Sequence, residues 1–222
     1  MNICKLKFLV KGCALVALTV SLNVYAEGNR YDLPRNYHSE VSAAKAYMLT
    51  NHDRGNVGKS EFANAVIIDV RTVEEYGAGH APKSSNIPFP HIHKRPTMVV
   101  DGIVVPDPGY IGQDPAQYVN DVLAAYPDTS TPILTMCRTG FRSVLAANLL
   151  ADAGYTNVRN IWQGFVGRTK VDTAGNTLDL NNDGVDGDAG DLDGWSGYQE
   201  LPVDTKLLPK LIYAPYEYLY YE

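Results

Sequence analysis

The chain has 222 residues, 45% of them hydrophobic, and a formal net charge of −6. That length suits one domain with insertions and a sizeable core. An acidic chain without a basic run excludes nucleic acid and anionic membrane surfaces as partners, and no apolar stretch beyond the N-terminal segment is long enough to span a bilayer.

Lys5, Lys7 and Lys11 precede the apolar run Cys13 to Val24, and Val24-Tyr25-Ala26 supplies a small-residue cleavage pattern. Residues 1–26 are therefore expected to be a cleaved signal peptide, with a soluble periplasmic or secreted product beginning at Glu27. Lys11 before Cys13, and the apolar run after it, argue against a lipid anchor. Cleavage would leave 196 residues with a net charge near −9 and remove Cys4 and Cys13. Cys137 would be the one remaining cysteine, and an unpaired cysteine in an oxidising compartment reads as a reactive thiol.

Ser39 to Leu49 has helical character. Ala65-Val66-Ile67-Ile68-Asp69-Val70 reads as a buried strand, and Thr72-Val73-Glu74-Glu75 as a capping box opening a short helix. Met98 to Val105 is a hairpin signal with Asp101-Gly102 at its turn. Asp114-Pro115 resembles an N-cap followed by proline at the first position of a helix running through Ala125. Pro132 to Met136 reads as a strand, Ser143 to Ala151 as a helix stopped by Gly154, and Asn157 to Trp162 as a further strand. This alternation predicts an α/β domain with a mostly parallel central sheet flanked by helices. The hairpin and an Asp/Asn/Gly-rich stretch from about Arg168 to Gly194 read as insertions. A tail from Tyr213 to Glu222 carries five tyrosines, either lying on the domain or serving as a partner site.

Cys137 sits at a strand-to-helix turn, where backbone N–H groups and the helix dipole converge and favour a thiolate. Arg138 and Arg142 add anion-pairing donors in the same turn, and the Gly and Arg neighbours suit an exposed position. This combination describes a nucleophilic thiolate for a sulfur-bearing or oxyanionic substrate.

Ile68-Asp69-Val70-Arg71, Glu75-Tyr76, Gly79-His80-Ala81-Pro82 and Asn86-Ile87-Pro88-Phe89 resemble the opening signature of rhodanese domains. Cys137-Arg138-Thr139-Gly140-Phe141-Arg142-Ser143 is similar to their active-site loop, and Gly154-Tyr155, Asn157-Val158 and Gly164-Phe165 to the segment after it. The resemblance places such a domain over residues 39–166, with 167–222 as a C-terminal extension. It implies a sulfurtransferase that carries a sulfane sulfur as a persulfide on Cys137, from a donor such as thiosulfate to a thiol or other thiophilic acceptor. Arg138, Thr139, Gly140, Phe141, Arg142 and Ser143 would bind substrate, with Asp69, Arg71 and His80 as structural supports and no cofactor for catalysis. Phosphatases sharing the fold place five residues between cysteine and arginine; four separate Cys137 from Arg142 here, a tighter loop favouring sulfur. The alternatives are a non-catalytic sulfur-carrier or partner-binding module of the same fold and, ranked last, a Cys-dependent phosphatase.

Asp179-Leu180-Asn181-Asn182-Asp183-Gly184 matches the first half of an EF-hand calcium loop. Asp179, Asn181, Asp183, the Val185 carbonyl, Asp188 and Asp191 are the candidate ligands of a structural calcium ion, although Gly190 stands where that pattern has glutamate. The competing reading is a solvated acidic loop, since these are ordinary turn residues. His91 and His93 could share a metal, but no third ligand is evident.

Overall fold

The computed structural model describes residues 29–50, 64–94, 98–105 and 109–221. The expected signal peptide, with Cys4 and Cys13, lies outside the described residues.

Five strands form one parallel sheet: β1 (Ser39–Val41), β2 (Val66–Asp69), β3 (Ser85–Asn86), β8 (Ile133–Met136) and β9 (Val158–Ile161). Their spatial order is β1-β9-β8-β2-β3. The connections leaving β2 and β8 run to opposite sides, so the order reverses between these two strands. Open α/β sheets present their binding crevice at the carboxyl ends of the strands at such a point. Val66 to Asp69 pair in register with Ile133 to Met136, which places Cys137 one residue beyond β8, at that switch point.

Residues of the central strands alternate between two buried faces. Ile68, Ile133 and Val158 pack with Tyr118 and Val122 of α3 (Pro115–Ala125) and with Val144, Ala147 and Leu150 of α4 (Phe141–Asp152). Ile67, Leu134, Met136 and Ile161 pack on the other face with Ala43, Ala46 and Leu49 of α1 (Ala43–Thr50), and with Trp195. The C-terminal extension therefore supplies part of the core. The tyrosine tail does likewise: Tyr213 and Tyr220 are buried, and the Leu211 carbonyl accepts from the Asn86 N–H along the edge of β3.

Several local expectations hold. Thr72 and Glu75 form the reciprocal capping box of α2 (Val73–Gly77). Asp114 caps α3 through the Ala116 and Gln117 N–H groups, with Pro115 in the first turn. Asp101 and Gly102, at φ +51° and +78°, turn the hairpin between β5 (Met98–Val100) and β6 (Ile103–Val105), as a primed turn requires.

One segment is corrected. Ser39 to Val41 forms a strand rather than the start of a helix, because Ser39, Glu40 and Val41 pair with Arg159, Asn160 and Ile161 on the open edge of β9. Only Ala43 onward is helical. The hairpin is itself an excursion from a second antiparallel pair, β4 (His91–Lys94) with β7 (Tyr110–Gly112).

Candidate active site

The loop Cys137 to Gly140 closes around the sulfur. Gly140 caps α4 at φ +102°, and a Cβ there would stand 2.2 Å from the Trp162 carbonyl oxygen. Glycine is required on both counts. Its N–H donates to Cys137 Sγ at 3.1 Å, and the Ser143 hydroxyl lies 3.4 Å from the same sulfur. The α4 dipole adds positive potential from behind.

The loop carbonyls face away from the sulfur. Phe165 N–H donates to Cys137 O at 2.7 Å, while Val166 and Gly167 N–H donate to Arg138 O at 2.9 and 3.0 Å. Within a trans peptide unit the C=O and N–H point in opposite directions. Holding these carbonyls fixes the planes of the Cys137–Arg138 and Arg138–Thr139 peptides. A Cβ on Gly164 would stand 2.6 Å from Thr139 N, so the tight docking of this segment depends on that glycine.

Cys137 is 1% exposed, which corrects the expectation of an exposed turn. The loop folds over its own cysteine because its carbonyls are drawn onto residues 165–167. The side chain is enclosed, yet its sulfur is aimed at an amide hydrogen rather than packed solely among methyl groups.

The two arginines of the loop differ. Arg138 is exposed and makes no ion pair among the described residues. Arg142 directs both terminal nitrogens at Glu75, at 2.7 and 2.9 Å, a bidentate geometry that fixes the guanidinium. Burial works to raise the Glu75 carboxyl; the hydrogen bonds and charge of Arg142 outweigh it and hold that group below the usual carboxylate range. Burial likewise opposes the Arg142 charge, but Glu75 foremost, then Cys137, keeps it above the ordinary arginine value. Phe141 is 44% exposed beside the loop, its ring edge-on to Tyr31, and Thr139 is held by Tyr31 and Arg30.

Asp69 lies opposite Met136 in the sheet and pairs with Arg71, while His80 sits apart from the loop on Tyr76. Arg71 forks onto Asp69, donates to Gly79 O at 2.7 Å and stacks 3.9 Å over Phe165. His80 stacks on Tyr76 with centroids 3.9 Å apart, and its Nδ1 meets Tyr76 O at 3.1 Å. Burial pushes its pKa below the usual histidine value. Glu75 was legible as a cap and as part of the family signature; its pairing with Arg142 spans 67 positions of chain, beyond the reach of local pattern. Arg30 and Tyr31 carried no motif at all, and Asp193 stood out only as one acid of the Asp/Asn/Gly-rich stretch.

In the acidic loop, Asp179 accepts from the Asp183 and Gly184 N–H groups, and Asp183 from Val185 N–H. Asn181 sits between them, donating to Asp183 at 2.9 Å. Asp188 caps a 3-10 turn at Ala189–Asp191, and Asp191 accepts from the Leu180, Asn181 and Gly187 N–H groups. Backbone amides of the loop itself thus face these carboxylates. No three His, Cys, Asp or Glu side chains gather as a metal site among the described residues. His91 stacks on Tyr110 while His93 turns to Lys94 O.

The Rhodanese-like domain family matches residues 55–169, and the chain belongs to that family. Among similar proteins, the thiosulfate:glutathione sulfurtransferase of Saccharomyces cerevisiae is 26% identical over 152 residues, covering 68% of this chain and 96% of its own. An uncharacterized protein of Rickettsia prowazekii, RP600, is 29% identical over 108 residues, 48% of this chain and 74% of its own. A crystal structure of Rv0390 from M. tuberculosis aligns with a TM-score of 0.45 at 19% identity, over 77% of this chain and 99% of that one.

Proposed function

We propose that the protein is a sulfurtransferase that carries a sulfane sulfur as a persulfide on Cys137. The observation that carries this reading is the Gly140 N–H donating to Cys137 Sγ at 3.1 Å, inside a loop whose Cys137 and Arg138 carbonyls are taken by the amides of residues 165–167. Such a loop suits a sulfur anion, and fixed donors facing developing charge are commonly worth about 10²–10³ in rate. Family membership and the yeast relative's printed activity support the same chemistry.

With thiosulfate as donor, the Cys137 thiolate attacks the outer sulfur. Its S–S bond to the sulfonate breaks, sulfite departs with the electron pair, and a Cys137 persulfide anion remains. A thiolate or other thiophile then takes the terminal sulfur and regenerates the Cys137 thiolate. Arg138, exposed and without an ion pair among the described residues, is placed to draw the anionic donor to the loop. Arg142 keeps its charge near the sulfur while Glu75 holds its orientation. Incubation with thiosulfate followed by mass spectrometry should show one added sulfur atom on Cys137, released by a small thiol; no addition from any sulfane donor would refute the proposal.

The compartment is proposed to be extracytoplasmic, on the strength of the lysine-led apolar segment and its cleavage pattern. Sequencing the N-terminus of protein made in a secreting host should find Glu27 first; an intact Met1 would contradict it.

A further inference from the structure

Three consecutive carbonyls of the catalytic loop point outward, and the third is held differently from the first two. Backbone amides of residues 165–167 take Cys137 O and Arg138 O. Thr139 O is taken by side chains from the start of the described chain: Tyr31 donates to it at 2.7 Å and Arg30 Nη1 at 3.3 Å. Thr139 O belongs to the same peptide unit as Gly140 N–H, the group that donates to Cys137 Sγ. In a planar trans unit, fixing the carbonyl also fixes the direction of the N–H. A cation on the carbonyl also polarises the unit and strengthens its N–H as a donor.

We infer that Arg30 and Tyr31 are positioning residues of the active site, aiming and polarising the Thr139–Gly140 peptide at the Cys137 sulfur. This rests on the sulfurtransferase reading for its biological meaning, though not for its geometry.

The strap is itself anchored. Arg30 pairs with Asp193 at 2.5 Å, and its guanidinium lies 4.9 Å over the Trp162 ring. Asp193 is fully buried and also accepts from Arg168 N–H at 2.9 Å. Tyr31 reaches Thr139 Oγ1 at 2.8 Å, packs edge-on against Phe141, and has the Arg168 guanidinium 5.4 Å over its ring. Arg30 and Tyr31 precede the matched family segment, and Asp193 follows it. Both flanks of the chain thus converge on one peptide unit of the loop. The C-terminal extension gains a role beyond filling core: through Asp193 it fixes the arginine that fixes the loop.

Alkylation of Cys137 by iodoacetamide near neutral pH tests this without any sulfur donor. Tyr31→Phe removes one hydroxyl and keeps the ring; Arg30→Gln removes the charge and the Asp193 pair. If the strap orients the amide, losing the donor lowers the thiolate population more than it raises intrinsic nucleophilicity, and alkylation slows about three- to tenfold. A strap that merely braces the fold gives the opposite sign, because a loosened loop exposes the sulfur and speeds alkylation. Unchanged or faster alkylation in both variants overturns the inference; should one variant not fold, the other decides. Sulfur loading separates this from the parent reading. A wild-type protein that never loads refutes sulfur transfer, whereas variants that load with wild-type kcat refute the strap's role. The expected loss is in kcat, with KM nearly unchanged.

Discussion

Gly140 concentrates the constraints of the site in a single residue. Its φ of +102° and the Trp162 carbonyl 2.2 Å from an added Cβ leave no room for a side chain. Gly140→Ala is expected to cost at least about 1–3 kcal/mol of stability from the backbone term alone and to slow sulfur loading disproportionately, read by denaturant unfolding and loading kinetics. His80 governs a different property. Burial lowers its pKa from the ordinary 6.5, so the unfolded chain takes up the proton first. Its contribution to stability is complete above pH 6.5 and is lost as the pH falls from that value through the lower folded one. His91 adds to the same slope, since burial, then the nearby Arg142, lowers it too. The melting temperature should therefore rise between pH 5.5 and pH 7 by the proton uptake of these groups, and His80→Gln should flatten the rise. An unaltered slope in the variant would assign the dependence elsewhere.

Among the elements, α2 and α4 are joined by the Glu75–Arg142 pair, and Glu75 also closes the capping box. Its carboxyl is held below the ordinary 4.5, so its stabilisation is present above that value and is lost as acid protonates it. Glu75→Gln should weaken the acid-side loss of stability and reduce the rate of sulfur loading by freeing Arg142 to reorient. The tail is an element of equal weight. Tyr220 donates to Asn86 Oδ1 and accepts from Tyr213 N–H, while its ring meets Tyr76 edge-on. Tyr220→Phe would leave the Asn86 oxygen and keep the ring, costing about 1–3 kcal/mol in denaturant unfolding; a neutral substitution would show that the tail is held by packing alone.

At the scale of the whole molecule, two cores on either face of one parallel sheet join described residues as far apart as Tyr37 and Tyr220. Much of this was legible in the chain. The buried strands at Ile67 and Leu134, the caps at Thr72 and Asp114, and the glycine turn after Cys137 are local signals that sequence patterns carry. The strand at Ser39–Val41 was not legible, because its residues are extended only through pairing with β9, more than a hundred positions away. Nor was the strap: Arg30 and Tyr31 matter through one carbonyl at Thr139, a contact no spacing rule announces. The enclosure of Cys137 escaped for the same reason, being produced by amides at 165–167. All of these lead back to one claim, that the Gly140 amide and Ser143 hydroxyl at Cys137 serve to hold a sulfur anion. Mass spectrometry of the purified protein after thiosulfate, with Cys137→Ser as control, tests it most directly. One sulfur added to Cys137, lost on exposure to thiol and absent from the folded variant, is the predicted result; an unmodified Cys137, or sulfur retained by the variant, would contradict it.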